Sequence, residues 1–267
     1  MAGTGKDGSR VNYYIADAFT DGPFTGNPAG VCILGAPLPQ DTMQRIANEN
    51  NLSETAFIVP NGEEYGLRWF TPVTEINLAG HPTLASAFVL HEVLGQNRAV
   101  YRFHTESGPL EVTPRGDLYE MDFPAWPARQ VEITPEMRRA VGGILEAHLN
   151  RDLFLVLKDE AAVREYQPDF TALAAVPDCF GLAITAKGDT ADFVSRMFGP
   201  NVGIPEDPVT GSIHSTLIPF WAARLGKDTL LAKQLSPRGG TLYCENRGKR
   251  VRIAGRARLY LKGELFV

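Results

Sequence analysis

The sequence predicts an α+β protein built from two related half-domains. Three observations carry that prediction. Segments with strand character outnumber those with helix character, a set of motifs recurs in one order and spacing, and a proline-rich segment separates the copies. The chain has 267 residues, of which 44% are hydrophobic, 9% aromatic and 21% charged, an ordinary globular composition. At this length folding buries about 70–75% of the extended surface, so core size sets no limit.

Residues 11–19 and 29–34 read as strands joined through the turn-rich Asp21-Gly22-Pro23 and Gly26-Asn27-Pro28. A short helix follows, with Asp41 as its cap, Gln44 three residues on as in a capping box, and Met43, Ile46 and Ala47 on one face. It ends near Asn50. Residues 55–59 and 67–70 are strands, and residues 82–94 form the clearest helix. Pro82 is its first residue, Leu84, Ala85, Phe88 and Val89 face inward, Gly95 stops it, and Gly80-His81 stands at its N-terminus. Strands follow at 100–104, 110–113 and 118–122.

The prolines at 124, 127 and 135 cannot supply ladder hydrogen bonds, so the domain boundary is placed there: 11–125 for the first half and 126–267 for the second, with 1–10 as a flexible tail. Beyond it the pattern gives a helix from Pro135, strands around 153–157, 181–185 and 192–197, a helix from about Gly211 to Leu225, and closing strands from Leu242. Arg68-Trp69-Phe70-Thr71-Pro72 recurs as Arg196-Met197-Phe198-Gly199-Pro200, each followed by a Glu and then by Gly-His or Gly-Ser opening a helix. The spacing from Gly80 to Gly108 matches that from Gly211 to Gly240 to within one residue, which implies two copies of one unit.

Composition excludes several functions. A net charge of −5 lacks the positive field that phosphate backbones require, so nucleic acid is not expected as a partner. No run approaches the ~18 apolar residues of a membrane span and no apolar signal segment is evident, so no membrane association is expected. Cys32, Cys179 and Cys244 are odd in number and far apart, which fits a reducing cytoplasm and neither a disulfide framework nor a metal site.

A helix N-terminus presents unpaired N–H groups and positive dipole potential. Gly80-His81 and Gly211-Ser212 therefore read either as sites for a carboxylate or developing negative charge, or as simple caps. Glu54, at a loop-to-strand junction before Ala56, Phe57 and Ile58, reads either as an exposed strand-edge carboxylate or as one whose pKa is raised by apolar surface, as a general acid/base needs. Asp207, before Pro208, is a turn-former or a second functional carboxylate.

Gly26-Asn27-Pro28-Ala29-Gly30-Val31, Asn51-Leu52-Ser53-Glu54-Thr55-Ala56-Phe57, Arg68-Trp69-Phe70-Thr71-Pro72, Gly80-His81-Pro82-Thr83, Glu206-Asp207-Pro208-Val209-Thr210-Gly211-Ser212 and Arg238-Gly239-Gly240 together resemble the phenazine-biosynthesis PhzF-like family. The resemblance implies a diaminopimelate-epimerase-like fold, two pseudo-symmetric domains each with a curved, mostly antiparallel sheet around a central helix, forming a homodimer. It implies a cofactor-independent isomerase acting on a small molecule by acid/base catalysis, as on trans-2,3-dihydro-3-hydroxyanthranilate. Glu54 would carry the proton, His81 and Asp207 would contact the substrate and relay it, and Ser53, Gly80, Gly211 and Ser212 would line the pocket, with Asn27 beside them. Related racemases of this fold use two thiols. Glu54 stands at the first thiol position and no cysteine lies near the second helix start, which favours a single carboxyl shuttle. Two other functions are compatible with the residues: a non-catalytic small-molecule binding protein, and a lyase or hydrolase using Glu54 and Asp207 as separate acid and base.

Two patterns carry no function. Residues 3–8 match G-x-G-x-x-G but precede the first strand, where the dinucleotide-binding context is missing. Arg250, Arg252, Arg256 and Arg258 alternate with Val251, Ile253, Leu259 and Leu261 as on half-buried strands.

Overall fold

A computed structural model describes residues 10–267. The glycine motif at 3–8 and the expected tail lie outside the described residues, except that Arg10 opens the first strand. The first half contains β1 (Arg10–Ala18), β2 (Asn27–Ile33), α1 (Gln40–Asn50), β3 (Glu54–Asn61), β4 (Glu64–Phe70), β5 (Glu75–Ile76), α2 (Gly80–Phe88), β6 (Tyr101–Thr105), β7 (Gly108–Arg115) and β8 (Leu118–Pro124). The second continues with β9 (Arg129–Val131), α3 (Pro135–Ala140), β10 (Glu146–Leu149), β11 (Leu153–Val156), α4 (Glu160–Glu165), α5 (Phe170–Ala174), β12 (Leu182–Lys187), β13 (Phe193–Gly199), β14 (Ile204–Asp207), α6 (Gly211–Leu225), β15 (Thr229–Gln234), β16 (Gly240–Asn246), β17 (Arg250–Gly255) and β18 (Ala257–Phe266).

The repeat is a repeat of topology. Along the first sheet the strands run β18, β1, β2, β3, β4, β6, β7, β8. Along the second they run β9, β10, β11, β12, β13, β15, β16, β17. Both read, pair by pair, antiparallel, antiparallel, parallel, antiparallel, parallel, antiparallel, antiparallel, and β8 pairs with β17 to join them. The halves expected on either side of residue 125 are therefore crossed once. β9 lies in the second half and edges the second sheet, as expected, but β18 follows β17 and edges the first sheet, along the whole of β1. The chain crosses next to the shared β8–β17 seam, where the two sheets are joined.

Each sheet curls around one helix. In α2 every residue from Gly80 to Ala87 is buried, the all-round burial of a core helix. The hydroxyls this buries are satisfied on the helix itself: Thr83 Oγ1 donates to the Ala79 carbonyl and Ser86 Oγ to the Pro82 carbonyl, both at 2.6 Å. In α6, Pro219 supplies no N–H, which frees the Ser215 carbonyl. The Trp126 N–H takes that carbonyl at 2.9 Å, pinning the inter-domain segment to the helix.

Three local expectations change. Pro39, not Asp41, precedes α1 and no side chain caps it; Gln44 Nε2 instead donates to the Thr71 carbonyl at 2.9 Å. The helix expected at 82–94 begins at Gly80, ends at Phe88 and continues as a π-turn over Val89–Val93. The strand β15 lies where none was expected. The Arg238-Gly239-Gly240 motif has a packing reason: Phe19, fully buried with φ +58, presses on Gly240, where a Cβ would lie 2.5 Å from the Phe19 carbonyl oxygen.

The repeated Arg–Glu pairs lock the two hairpins β4–β5 and β13–β14. Arg68 bonds Glu75 through Nε and Nη2, both at 2.6 Å, and Arg196 bonds Glu206 at 2.8 and 2.9 Å. The pairs differ in burial: the Arg196 side chain is 7% exposed and that of Arg68 is 35%. Removing one partner of a buried pair strands the other charge, whereas water shields an exposed one. Glu206→Gln is therefore expected to lower unfolding free energy by about 3 kcal/mol and Glu75→Gln by about 1 kcal/mol or less, measured by urea denaturation.

Candidate active site

The two central helices begin against each other. A Cβ on either Gly80 or Gly211 would sit 3.4 Å from the other's Cα, so the two backbones approach to about one atom's van der Waals contact with no side chain between them. Neither start carries a side-chain cap. Ala79 and Thr210 occupy the N-cap positions and neither bonds a first-turn N–H, so His81 and Ser212 are not caps, and the amides of both first turns face the same region. That region is a cavity of about 610 Å³ between the sheets, lined among others by Glu54, Gly80, His81, Asp207, Gly211 and Ser212.

Glu54 is the first residue of β3, opposite Ala29 on the parallel neighbour β2, and is 8% exposed. Its Oε2 lies 3.3 Å from Nε2 of His81, but the angle does not make a hydrogen bond, and both atoms are buried without a partner. Buried polar atoms without a partner are uncommon in folded proteins, and here two of them face each other at the cavity wall. Burial pushes the Glu54 carboxyl well above its ordinary range, and the nearby Asp207 charge adds to this. Burial pushes the His81 imidazole down to about 3, so it is neutral at pH 7.

Asp207 ends β14. Its Oδ1 accepts from Asn27 Nδ2 at 2.7 Å and its Oδ2 accepts from Thr210 Oγ1. One side of Asp207 opens onto the cavity, yet protein atoms enclose it so fully that desolvation dominates. Its carboxyl is raised to about 6, with the bonds from Thr210 and Asn27 opposing the rise. Two acids this close do not ionise together readily; they share protons as a pair.

The structure brings Glu54, His81, Asp207, Gly80, Gly211 and Ser212 to one cavity. Asn27 and Ser53 are placed differently. Asn27 is fully buried behind the wall and binds across the halves to Asp207 and, at 2.9 Å, to the Val209 carbonyl, so it positions Asp207 and does not face the cavity. Ser53 is outside the lining: it sits in the bend that precedes β3, and the cavity side is taken by Glu54, the strand's first residue.

Two contributors escaped the sequence. Gln234, fully buried on β15, donates to the Asp207 carbonyl at 2.7 Å and accepts from the Thr210 N–H at 2.9 Å, fixing the turn that aims Asp207. Its signal was a polar residue at the inward parity of Leu230 and Ala232. Arg151, in the turn between β10 and β11, lines the cavity and donates from Nη2 to Ser212 Oγ at 3.0 Å. Nothing in its local sequence marked it.

The paired sheets, the abutting helix starts and a buried carboxyl between them define a class: an isomerase of the diaminopimelate-epimerase-like fold. Residues 16–263 match the profile of the phenazine biosynthesis-like protein family, and the chain belongs to that family. It is 50% identical to an uncharacterized isomerase of Pseudomonas aeruginosa, over 96% of this chain and 98% of that one. A crystal structure of a phenazine biosynthesis protein of the PhzF family from Enterococcus faecalis superimposes with a TM-score of 0.94 at 51% identity, covering 97% of this chain and all of that one. A hydroxyproline epimerase from Agrobacterium vitis, 12% identical over 96% of this chain and 92% of that one with a TM-score of 0.61, shares the fold alone. No helix among the described residues is long and apolar enough to cross a membrane.

The raised carboxyl of Asp207 has a thermodynamic consequence. Below its unfolded value near 3.8 both folded and unfolded chains hold the proton; between there and about 6 only the folded chain does. This stabilising contribution is full at low pH and lost as pH rises through about 6. Asp207→Asn removes it, so the variant's stability should fall more steeply than wild type as pH drops from 6 to 4, by about 1.4 kcal/mol per pH unit. Urea titrations across that window measure the slope difference.

Proposed function

We propose that this protein is a cofactor-independent isomerase that relocates a proton on a small carboxylate-bearing molecule, with Glu54 as the acid/base, in the manner of a trans-2,3-dihydro-3-hydroxyanthranilate isomerase. The observation that carries this reading is the buried, unpartnered Glu54 Oε2, 3.3 Å from an equally unpartnered His81 Nε2, at the point where two helix N-termini meet. A carboxyl raised towards neutrality is a stronger base when ionised than an exposed one and a competent acid when protonated, which proton relocation needs in succession.

In this reading the amides opening α2 and α6 hold the substrate's negative charge and stabilise the extra electron density left when a C–H proton departs. Glu54 takes that proton and returns it at another carbon. His81, neutral, hydrogen-bonds without adding a fixed positive charge. Asp207, whose charge raises the Glu54 carboxyl further, is the second acid of the site. The buried thiols Cys32 and Cys244, and Cys179, lie outside the cavity lining, which supports one carboxyl in place of a thiol pair.

We further propose a homodimer in the cytoplasm. Support for the dimer comes from β18, which among the described residues pairs only with β1, with Tyr260 61% and Phe266 73% exposed. Sedimentation equilibrium at micromolar protein should read twice the 29.2 kDa chain mass.

Turnover of a dihydrohydroxyanthranilate in deuterated water should incorporate one solvent deuteron with no other mass change. Glu54→Gln should lower the rate by about a thousandfold, the scale of a lost general acid/base, while leaving the melting temperature at or above wild type. A Glu54→Gln protein working at the wild-type rate overturns the mechanism; binding without turnover indicates a non-catalytic binder, and a product of altered skeleton mass indicates a lyase or hydrolase.

A further inference from the structure

Among the described residues Arg151 is the single lysine or arginine lining the cavity, which also holds four carboxyl side chains, Glu54, Glu75, Glu106 and Asp207. Glu75 is already spent on Arg68, and Glu54 and Asp207 are burial-raised acids that give up their protons reluctantly. An anion entering this space has one cationic group to find.

The guanidinium is built into place. Its Nε and Nη2 both donate to Asp152 Oδ2, at 3.1 and 2.7 Å, and Asp152 is 1% exposed. Nη2 also donates to Ser212 Oγ at 3.0 Å, in the first turn of α6. Two rings flank it: the charge centre lies 5.3 Å from the Trp126 ring and 4.9 Å from that of Phe180, which itself lines the cavity. Trp126 is in turn held by the carbonyl that Pro219 frees in α6. Among the described residues Nη1 makes no hydrogen bond, and a third of the side chain remains exposed. If Arg151 served only to neutralise Asp152, it would need neither the aromatic walls nor an open donor edge on the cavity.

We propose that Arg151 is the specificity-determining residue of the site, receiving on its open Nη1 the carboxylate of a small acid whose flat or apolar body lies along Phe180. Arginine suits this role because Nε and Nη2 can stay on Asp152 and Ser212 while the same delocalised charge offers Nη1 for a charge-assisted hydrogen bond to the ligand. Asp152, Trp126 and Ser212 hold the plane in orientation before the ligand arrives. The assignment rests on the isomerase reading for what happens to the bound acid, but binding itself is independent of it.

The test uses the full chain with benzoate and its uncharged isostere benzamide as probes, read by tryptophan fluorescence, since Trp126 stacks on the guanidinium. Wild type should bind benzoate at least about tenfold more tightly than benzamide, the cost of about one charge-assisted bond. Arg151→Met should erase that preference without changing benzamide affinity, and Arg151→Lys should restore part of it. Because Arg151→Met strands Asp152, the double variant Arg151→Met/Asp152→Asn is measured alongside, with the same loss expected at a near-wild-type melting temperature. Equal affinity of wild type for the two probes overturns the proposal, as does a folded single or double variant that keeps the preference. Deuterium uptake is measured separately on the wild type, so a protein that prefers benzoate yet takes up no deuterium fails the proton-transfer reading alone, and one that takes up deuterium without the preference fails this proposal alone.

Discussion

Two helix N-termini in contact are the constraint on which the rest of this molecule depends. Each helix is the core of its own curled sheet, and each could end anywhere on the surface; here both begin at one point because Gly80 and Gly211 have nothing that would hold them apart. Like ends of two dipoles repel, so the arrangement is unfavourable unless negative charge is placed between them. The molecule keeps it by locking both approaches: the Arg68–Glu75 and Arg196–Glu206 forks brace the hairpins that lead into α2 and α6. What results is a positive focus in a closed space, into which Glu54 and Asp207 project from opposite halves.

The chemistry follows from how this focus is desolvated. Burial acts in opposite directions on acids and on imidazole, so the same enclosure that raises Glu54 and Asp207 lowers His81. The site is thus an assembly of groups that are all less charged than their chemical type would be in water. A proton moves among such groups with little electrostatic reorganisation, and an incoming anion is not repelled by two full carboxylates. Asn27, bridging from β2 to Asp207, fixes the distance between the halves at the level of these groups.

Much of this was legible in the sequence because it was written twice. Arg68 and Arg196, the glycines at 80 and 211, and the following sheet spacing recur in register, and a recurrence exposes both the fold and the position of its axis. Glu54 became readable through its neighbours in motif order, not through local pattern. Residues serving one half alone left weaker marks. Gln234 differs from its neighbours only in being polar at an inward parity, and Arg151 sits in a short turn where any charged residue would look ordinary. The exchange that puts β18 in the first sheet was invisible for another reason: pairing partners far apart in sequence leave no periodic signature, and a proline-rich segment marks where the chain changes sheets without saying where its far end returns.

That exchange also orders events during synthesis. β1 is among the first elements made, but its partner β18 is supplied by residues 257–266. Until those residues leave the ribosome, β1 has an open edge facing solvent, and the first sheet cannot finish. β9 meets β10 within about twenty residues, but the second sheet also lacks its last strand, β17, until residues 250–255 are made. Neither sheet can therefore finish before the C-terminal strands are supplied. The two halves are a single cooperative unit in time as well as in space, and a chain released early would carry the unpaired edge of β1 as its point of misassembly.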